Sequence, residues 1–314
     1  MPDIAIAQTF IKKMTLLEES YLRAVDAKRR EARRAWLDIV NREGVSRAAV
    51  GQMQAEVQSL RREIVGLGRE VGRDIRRTVG NYTRKQIDMA KRAGLATVET
   101  VQLETSNSGV QREGEEAFLT SSPVWLDTLE SNLEVTAARL RLAGADEAAI
   151  LARLVNEGVG DGRASLWRTT GNAAQLEETR DVWTYATGLI AAYLTTMNQL
   201  VTSAEYKKQA IATIDERTTN CCLKVHGQIQ PLDKPFRLTG TPRFGDYIQD
   251  PPFHWYCRTT EVLYNPAFEE FGITTEKMQD MAALELEWRE TTGTRSDITP
   301  SHATARRKGQ LPPG

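Results

Sequence analysis

Three cysteines in 314 residues, an odd number held in one stretch, cannot make a disulfide framework. Long apolar runs are missing too. The most hydrophobic stretch, residues 188–194, is far shorter than a membrane helix requires and is followed at once by Thr195 and Thr196. The opening MPDIAIAQTF lacks the basic segment of a secretory signal. Synthesis and folding in the cytoplasm, with no membrane partner, are therefore expected. Net charge is only −1, so the chain as a whole is neither a polycation nor an acidic protein. Hydrophobic residues at 40% and charged residues at 26% are ordinary for a soluble chain. The length suggests two domains and a sizeable core.

The charge is unevenly spread. Residues 1–100 carry 20 Lys+Arg against 13 Asp+Glu, a balance of +7, and the remainder balances at −8. A basic first third can approach DNA or an acidic partner, although the cations are interleaved with acids as on a solvated helix. Residues 7–40 read as one helix: Phe10, Met14, Leu17, Tyr21 and Ala24 step by fours and threes, and Trp36, Ile39 and Val40 continue the apolar side. Residues 41–44 break it, and Ser46 can cap the next helix. There Val50, Met53, Val57, Leu60, Ile64, Leu67 and Val71 form a heptad seam of the coiled-coil kind. Two such helices joined by a short turn predict an antiparallel hairpin over residues 1–98. Gly66, Gly68 and Gly72 weaken the far end of the second helix, and residues 81–95 read as a further helix. No strand precedes the GxG and no Lys-Ser/Thr follows it, so it is not a phosphate loop.

Residues 99–121 read as a polar linker or loop, and residues 122–206 as a helical core. Ser122-Pro123 opens one helix of that core, Gly144 closes it, and residues 146–156 form another. Asp161 argues against phosphate binding by the glycine-rich turn at 158–162. A short helix at 164–169 precedes the longest helix of the region, from Asn172 to Tyr206. Its wide apolar face includes Trp183, Tyr185 and Tyr193; aromatics at helical spacing are more often core than ligand platforms. A final helix is expected over 274–289, and residues 291–314, with three prolines and Arg306-Arg307-Lys308, as a disordered tail.

Residues 215–264 differ from everything around them. They hold all three cysteines (Cys221, Cys222, Cys257), two histidines (His226, His254) and five of the eleven prolines. Thr219 or Asn220 can cap a short helix that Gly227 ends in the left-handed conformation. That helix would put Cys222 and His226 on one face. Pro251 and Pro252 impose an extended approach to His254, and the two-residue gap to Cys257 suits a tight knuckle. Residues 258–264 read as a strand, near which 227–230 and 236–239 could pair. Two thiolates and two imidazoles, Cys222, His226, His254 and Cys257, suit tetrahedral zinc. A packed cluster without metal, or a disulfide from Cys257 to Cys221 or Cys222, are the alternatives. The fold class is thus mainly α, with a small α+β module over residues 207–290.

The run Asp215-x-Arg217-Thr218-Thr219-x-x-Cys222, then His226-Gly227, then Pro251-Pro252-x-His254-x-x-Cys257-Arg258 resembles the signature of the phage head-morphogenesis, or Mu F-like, minor capsid proteins. The resemblance covers about 50 residues. The family usually has Thr-Ser where this chain has Thr218-Thr219, and it varies at the position of His226. What it implies is a low-copy virion component inside the capsid near the portal vertex, acting in head assembly or in DNA packaging or delivery. Portal or major capsid protein would be its partner.

Two other function classes stand beside that one. Cys222 with His226 or His254 could be a nucleophile–base pair oriented by Asp215 or Asp246, making the chain a virion-borne hydrolase or transferase. There is, however, no paired-glycine oxyanion loop and no nucleotide fingerprint. Alternatively, the basic first third and the 306–308 tail could contact packaged DNA without sequence specificity.

Overall fold

The computed structural model describes residues 2–44, 47–95, 108–121, 166–200, 206–215, 218–271 and 274–292, together with 126–128, 131, 135, 138–139, 142–146 and 149. The elements are α1 (Pro2–Glu43), α2 (Arg47–Arg92), α3 (Ser108–Ser121), α4 (Leu166–Leu200), β1 (Lys207–Ala212), α5 (Asn220–Val225), β2 (Ile229–Pro231), β3 (Phe236–Arg237), β4 (Tyr247–Ile248), β5 (Thr259–Tyr264), a 3-10 helix (Pro266–Phe271) and α6 (Thr275–Thr291). The fold is mainly α with a small antiparallel module, as the sequence implies. Two compact units divide it. One comprises Met1–Leu16, Asp74–Gly114 and Val182–Gly314, the other Leu17–Arg73 and Glu115–Asp181.

The second unit is built on paired helices. Gln52 donates to Glu43 and Lys28 pairs with Glu63 at 3.0 Å, so α1 and α2 run antiparallel and form the expected hairpin. The apolar period of α1 is present, but its buried stripe runs through Met14, Glu18, Tyr21, Val25, Ala32 and Trp36. Leu17 and Ala24 are only half-buried. On α2, Met53, Val57, Leu60, Ile64 and Val71 are buried, and Leu67 is half-buried. The glycines do not weaken this helix enough to end it. A mid-helix glycine costs about 1 kcal/mol, less than the burial of one Leu or Ile at about 1.5–3 kcal/mol. Gly68 shows a compensating gain: a Cβ there would lie 3.0 Å from Leu119 Cδ2, so its bare backbone admits α3. The expected separate helix at 81–95 is therefore the continuation of α2.

The linker assigned to 99–121 is corrected by α3, which is helical from Ser108 onward. Among its described side chains the deeply buried apolar one is Phe118, set against Tyr21 with centroids 6.3 Å apart. A single anchor on a polar helix leaves no period to read. Gly144 adopts the left-handed conformation, φ 67°, that ends a helix. The readings at Ser46, 122–125, 150–165, 201–205 and the 293–314 tail lie outside the described residues.

The first unit holds the sheet. The two helices expected at 164–169 and from Asn172 are one continuous helix, α4. From Val182 to Met197 it is buried on almost every side, Trp183, Leu189, Ile190 and Leu194 among its inward residues. The three-stranded sheet has order β2-β1-β5, all antiparallel, with Lys208 opposite Leu263, Ala210 opposite Glu261 and Ala212 opposite Thr259. β3 pairs with β4 in a separate ribbon. The sequence reading placed short strands near 259–264 but left β1, the central strand, unassigned. The outer edge of β5 is covered by α2, whose Tyr82 hydroxyl donates to the Glu261 carbonyl at 2.9 Å and whose Gln86 Oε1 accepts the Leu263 N–H at 2.7 Å. An edge strand so covered cannot recruit another chain.

Leu60 is 2% exposed in the α2 stripe. Leu60→Asp buries an unpaired charge and removes the packing, at a cost of roughly 3–5 kcal/mol. Melting followed by circular dichroism should fall by on the order of 10 °C. An unchanged melt would mean that the stripe contributes nothing.

Candidate functional site

The site is assembled by α5 and the knuckle before β5. Thr219 caps α5, its hydroxyl accepting the Cys222 N–H at 3.5 Å, and Gly227 takes φ 80° beyond the other end. The helix stops at Val225, one residue short of what a shared face for Cys222 and His226 needs. His226 already has extended backbone, φ −57° and ψ 126°. Its ring turns away from the cysteines, and Nδ1 accepts the Ala212 N–H at 2.9 Å. The proposed fourth ligand is thus a cap on the end of β1.

Cys222, His254 and Cys257 do converge, with their donor atoms all within 4.8 Å of one another. Cys222 Sγ lies 3.7 Å from Cys257 Sγ and 3.0 Å from His254 Nε2. The knuckle is closed by the Cys257 N–H on the His254 carbonyl at 3.2 Å. That turn forces Tyr256 to φ 59°, a left-handed conformation that costs a non-glycine residue roughly 1 kcal/mol or more. Cys221 packs in the neighbouring apolar cluster with Phe236, Leu238 and Phe253. Burial lifts its thiol to about 12, and it takes no part in the convergence.

The electrostatics of the trio follow from burial and proximity. Burial raises the Cys222 thiol, and the neighbouring Cys257 sulfur raises it further. Burial also works against a Cys257 thiolate, but hydrogen bonds from Cys222 and His254 outweigh it and bring Cys257 well below its usual range. Burial disfavours a charged His254, which the thiolate of Cys257 nevertheless raises above its ordinary value. His254 is fixed from both sides. Nδ1 faces the Trp255 carbonyl, and Nε2 lies 2.9 Å from Thr219 Oγ1 as well as near Cys222.

These residues fit a zinc ion. Two thiolates at about 2.3 Å from one tetrahedral ion stand about 3.8 Å apart, close to the spacing found. A carbonyl on Nδ1 leaves Nε2 as the donor, the usual arrangement behind a histidine ligand. Cys222, His254 and Cys257 would hold the ion, with Thr219 Oγ1 the nearest further oxygen. Bound there, zinc supplies a cross-link between α5 and the knuckle. The arrangement gives less support to nucleophilic catalysis. Asp246 pairs with Arg243 and Asp215 Oδ1 accepts from Thr218, so neither orients His254, and all three side chains of the trio are buried.

The rest of the motif shapes the approach. Thr218 hydrogen-bonds the Thr213 carbonyl as well as Asp215, and Arg217 lies outside the described residues. The Pro251 carbonyl accepts from Thr187 of α4. Arg258 is half-buried at the start of β5. Two supports escaped the sequence reading. Arg289 of α6, buried beside Glu285 at 2.9 Å, donates to the carbonyls of Thr218 and Asp215 and to Asn220 Oδ1. Lys208, also buried, binds Asp250 at 2.8 Å and the Gln249 carbonyl, with Phe236 under its ammonium at 5.0 Å. The Glu285-x-x-x-Arg289 spacing was the one available signal. The strand-breaking look of Lys207-Lys208-Gln209 hid the other.

With that geometry established, its counterpart among known proteins is informative. Residues 149–262 match the family model described as Phage Mu protein F like protein. That stretch of the chain is similar to the Mu F-like proteins. The match supports the head-morphogenesis resemblance carried by the Cys/His motif. No curated protein and no solved structure matches the chain. The Mu F-like match takes in α4, β1, β2, the first part of β5 and the whole Cys/His centre. Among the described residues no helix is long and apolar enough to cross a membrane.

His226 supplies a pH test. Burial lowers it from 6.5 to about 4, so the unfolded chain takes up its proton first. The stabilisation is complete above pH 6.5 and is lost as pH falls toward 4, to a limit of roughly 3 kcal/mol. His226→Asn keeps an acceptor for Ala212 and removes the titration. Urea melts at pH 7.5 and 4.5 should show a larger loss for the wild type than for this variant. Equal losses would place the acid sensitivity elsewhere.

Proposed function

We propose that this Mu F-like protein is a low-copy minor capsid component that docks at the portal vertex inside the head and acts in head assembly or in DNA packaging or delivery. The single observation that supports this most is the coincidence of the Mu F-like match with the residues gathered at the buried Cys/His centre. In this reading the α1–α2 hairpin, whose apolar stripes are already buried, offers its charged outer face for docking or self-association. The Mu F-like module is a rigid foot. Its exposed aromatics favour a protein partner: Phe244 and Trp255 meet edge to face at 5.3 Å, and Tyr247 and Tyr256 are also exposed. Such residues dominate binding at interfaces. Packaged DNA is a further contact, made through the basic first third. The purified chain should co-purify with portal protein from the same phage, and Trp255→Ala with Tyr247→Ala should weaken that capture at least tenfold. Portal and major capsid protein that both fail to retain the intact chain would sink the docking role.

We also propose that Cys222, His254 and Cys257 hold structural zinc. A module this small has a core too limited to be secure unaided, and a metal cross-link compensates. Elemental analysis should find one zinc per chain. Cys257→Ser should release it and open residues 207–290 to proteolysis while the signal of the long helices persists. Affinity should fall on acidification, since the thiols and imidazole must lose their protons to bind. Zinc well below stoichiometry, with melting indifferent to a chelator, would leave a metal-free polar cluster.

A further inference from the structure

The C-terminal half of α2 carries a second feature that the Mu F-like centre does not use. Its inward face is locked. Ile75, Val79, Tyr82, Thr83 and Gln86 are buried, and Tyr82 and Gln86 hydrogen-bond the backbone of β5. The opposite face presents Arg76, Arg77 and Arg84, which line a cavity of about 300 Å³ with Gly80, Gln111 and Tyr193. Gly80 lies one turn from both Arg76 and Arg84, and a Cβ built on it meets nothing within 4 Å. The missing side chain is thus part of what keeps the notch open. Gln111 donates to the Tyr193 hydroxyl at 2.9 Å, which fixes the far wall. A second cavity, of about 220 Å³, adjoins the first through Arg84 and Asn81 and adds Lys13 and Lys85 against one acid, Asp88.

From this we infer that the Arg76–Arg77–Arg84 cavity is a phosphate-binding site. Three guanidinium groups, Arg76 and Arg77 side by side and Arg84 two turns on, offer planar, paired donors matched to phosphate oxygens. Asp74 meets Arg77 at 3.3 Å on its exposed side, and Arg84 donates to Asn81 Oδ1 at 3.1 Å. Lys85 on the same helix and Lys13 of α1 extend the positive surface, as a chain of phosphates would require and a lone ion would not. The ligand class is the phosphodiester backbone. This rests on the DNA contact proposed above and places it at the C-terminal half of α2 rather than on the basic first third at large or on the 306–308 tail.

The test uses the full-length protein, a labelled DNA duplex of about 30 base pairs and inorganic pyrophosphate as competitor. Arg76→Gln with Arg84→Gln should weaken duplex binding at least tenfold at low salt and reduce the slope of log K against log salt by about two. Gly80→Leu should weaken binding similarly without changing any charge. A variant with Arg306, Arg307 and Lys308 all changed to Gln should bind as the wild type does. Pyrophosphate should displace the duplex from the wild type. Circular dichroism melts of the α2 variants should match the wild type, so that lost binding reports on the cavity. If pyrophosphate binds and the duplex does not, the cavity stands and the nucleic-acid reading falls. If the duplex binds but Gly80→Leu leaves it intact, or the tail variant accounts for the loss, the cavity assignment is overturned while DNA contact survives. Binding of neither probe overturns the site and leaves the head-morphogenesis class untouched.

Discussion

An imidazole can sit in so small a core only when both of its nitrogens are partnered, and His254 sets the terms for the module around it. One nitrogen takes the carbonyl of the next residue, and the other meets Thr219 and Cys222. Each of those partners must then be held in place. Thr219 is held because it also caps α5, and Cys222 because it lies one turn into that helix. Leaving a buried polar group unpaired costs about 1–3 kcal/mol, so misplacing any one of these elements would penalise the others. The centre is best understood as a mutual constraint on α5, the knuckle and β5.

The same logic explains two buried cations where a core would ordinarily be apolar. The segments that deliver Thr219 and His254 are loops, with little apolar surface of their own. Arg289 gathers the carbonyls of Asp215 and Thr218 at the entry to α5, and Glu285 neutralises it. Lys208 performs the corresponding task for Gln249 and Asp250, immediately before the double proline. Removing one member of such a pair is more damaging than its net stabilisation suggests, because the other charge is then stranded. These pairs therefore secure geometry more than they add stability. They also tie α6 and β1 to the site, although neither supplies a candidate ligand.

Legibility in the sequence followed the kind of force involved. Where burial acts along a helix, as at Phe10, Met14, Tyr21, Val57, Leu60 and Ile64, the period was readable because each residue independently prefers the inside. The cap at Thr219, the left-handed Gly227 and the β5 strand were readable from local chemistry alone. The failures came where a distant partner decides. β1 is central yet begins Lys-Lys-Gln, and only Asp250, Phe236 and Thr275 make Lys208 and Gln209 acceptable inside. The unbroken course of α2 through Gly66 and Gly68 depends in part on Leu119, half a chain turn of sequence logic away from any local rule. His226 was misjudged because helix spacing was extended by one residue past the point at which the helix ends.

Glu261 is subject to the same constraint. It lies opposite Ala210 on the sheet face that also bears Lys208, it is fully buried, and neither carboxyl oxygen has a hydrogen-bond partner among the described residues. Burial, and then the charge of Asp250, push its carboxyl well above the usual range. Both effects favour its neutral form. An ionised Glu261 would compete with Asp250 for Lys208 and would weaken the contact that positions the loop before Pro251. Kept protonated, it leaves the Lys208–Asp250 pair balanced, one positive charge against one negative. The acid is thus tolerated for the same reason that the cations are: the surrounding sheet fixes a charge state as firmly as it fixes a side chain.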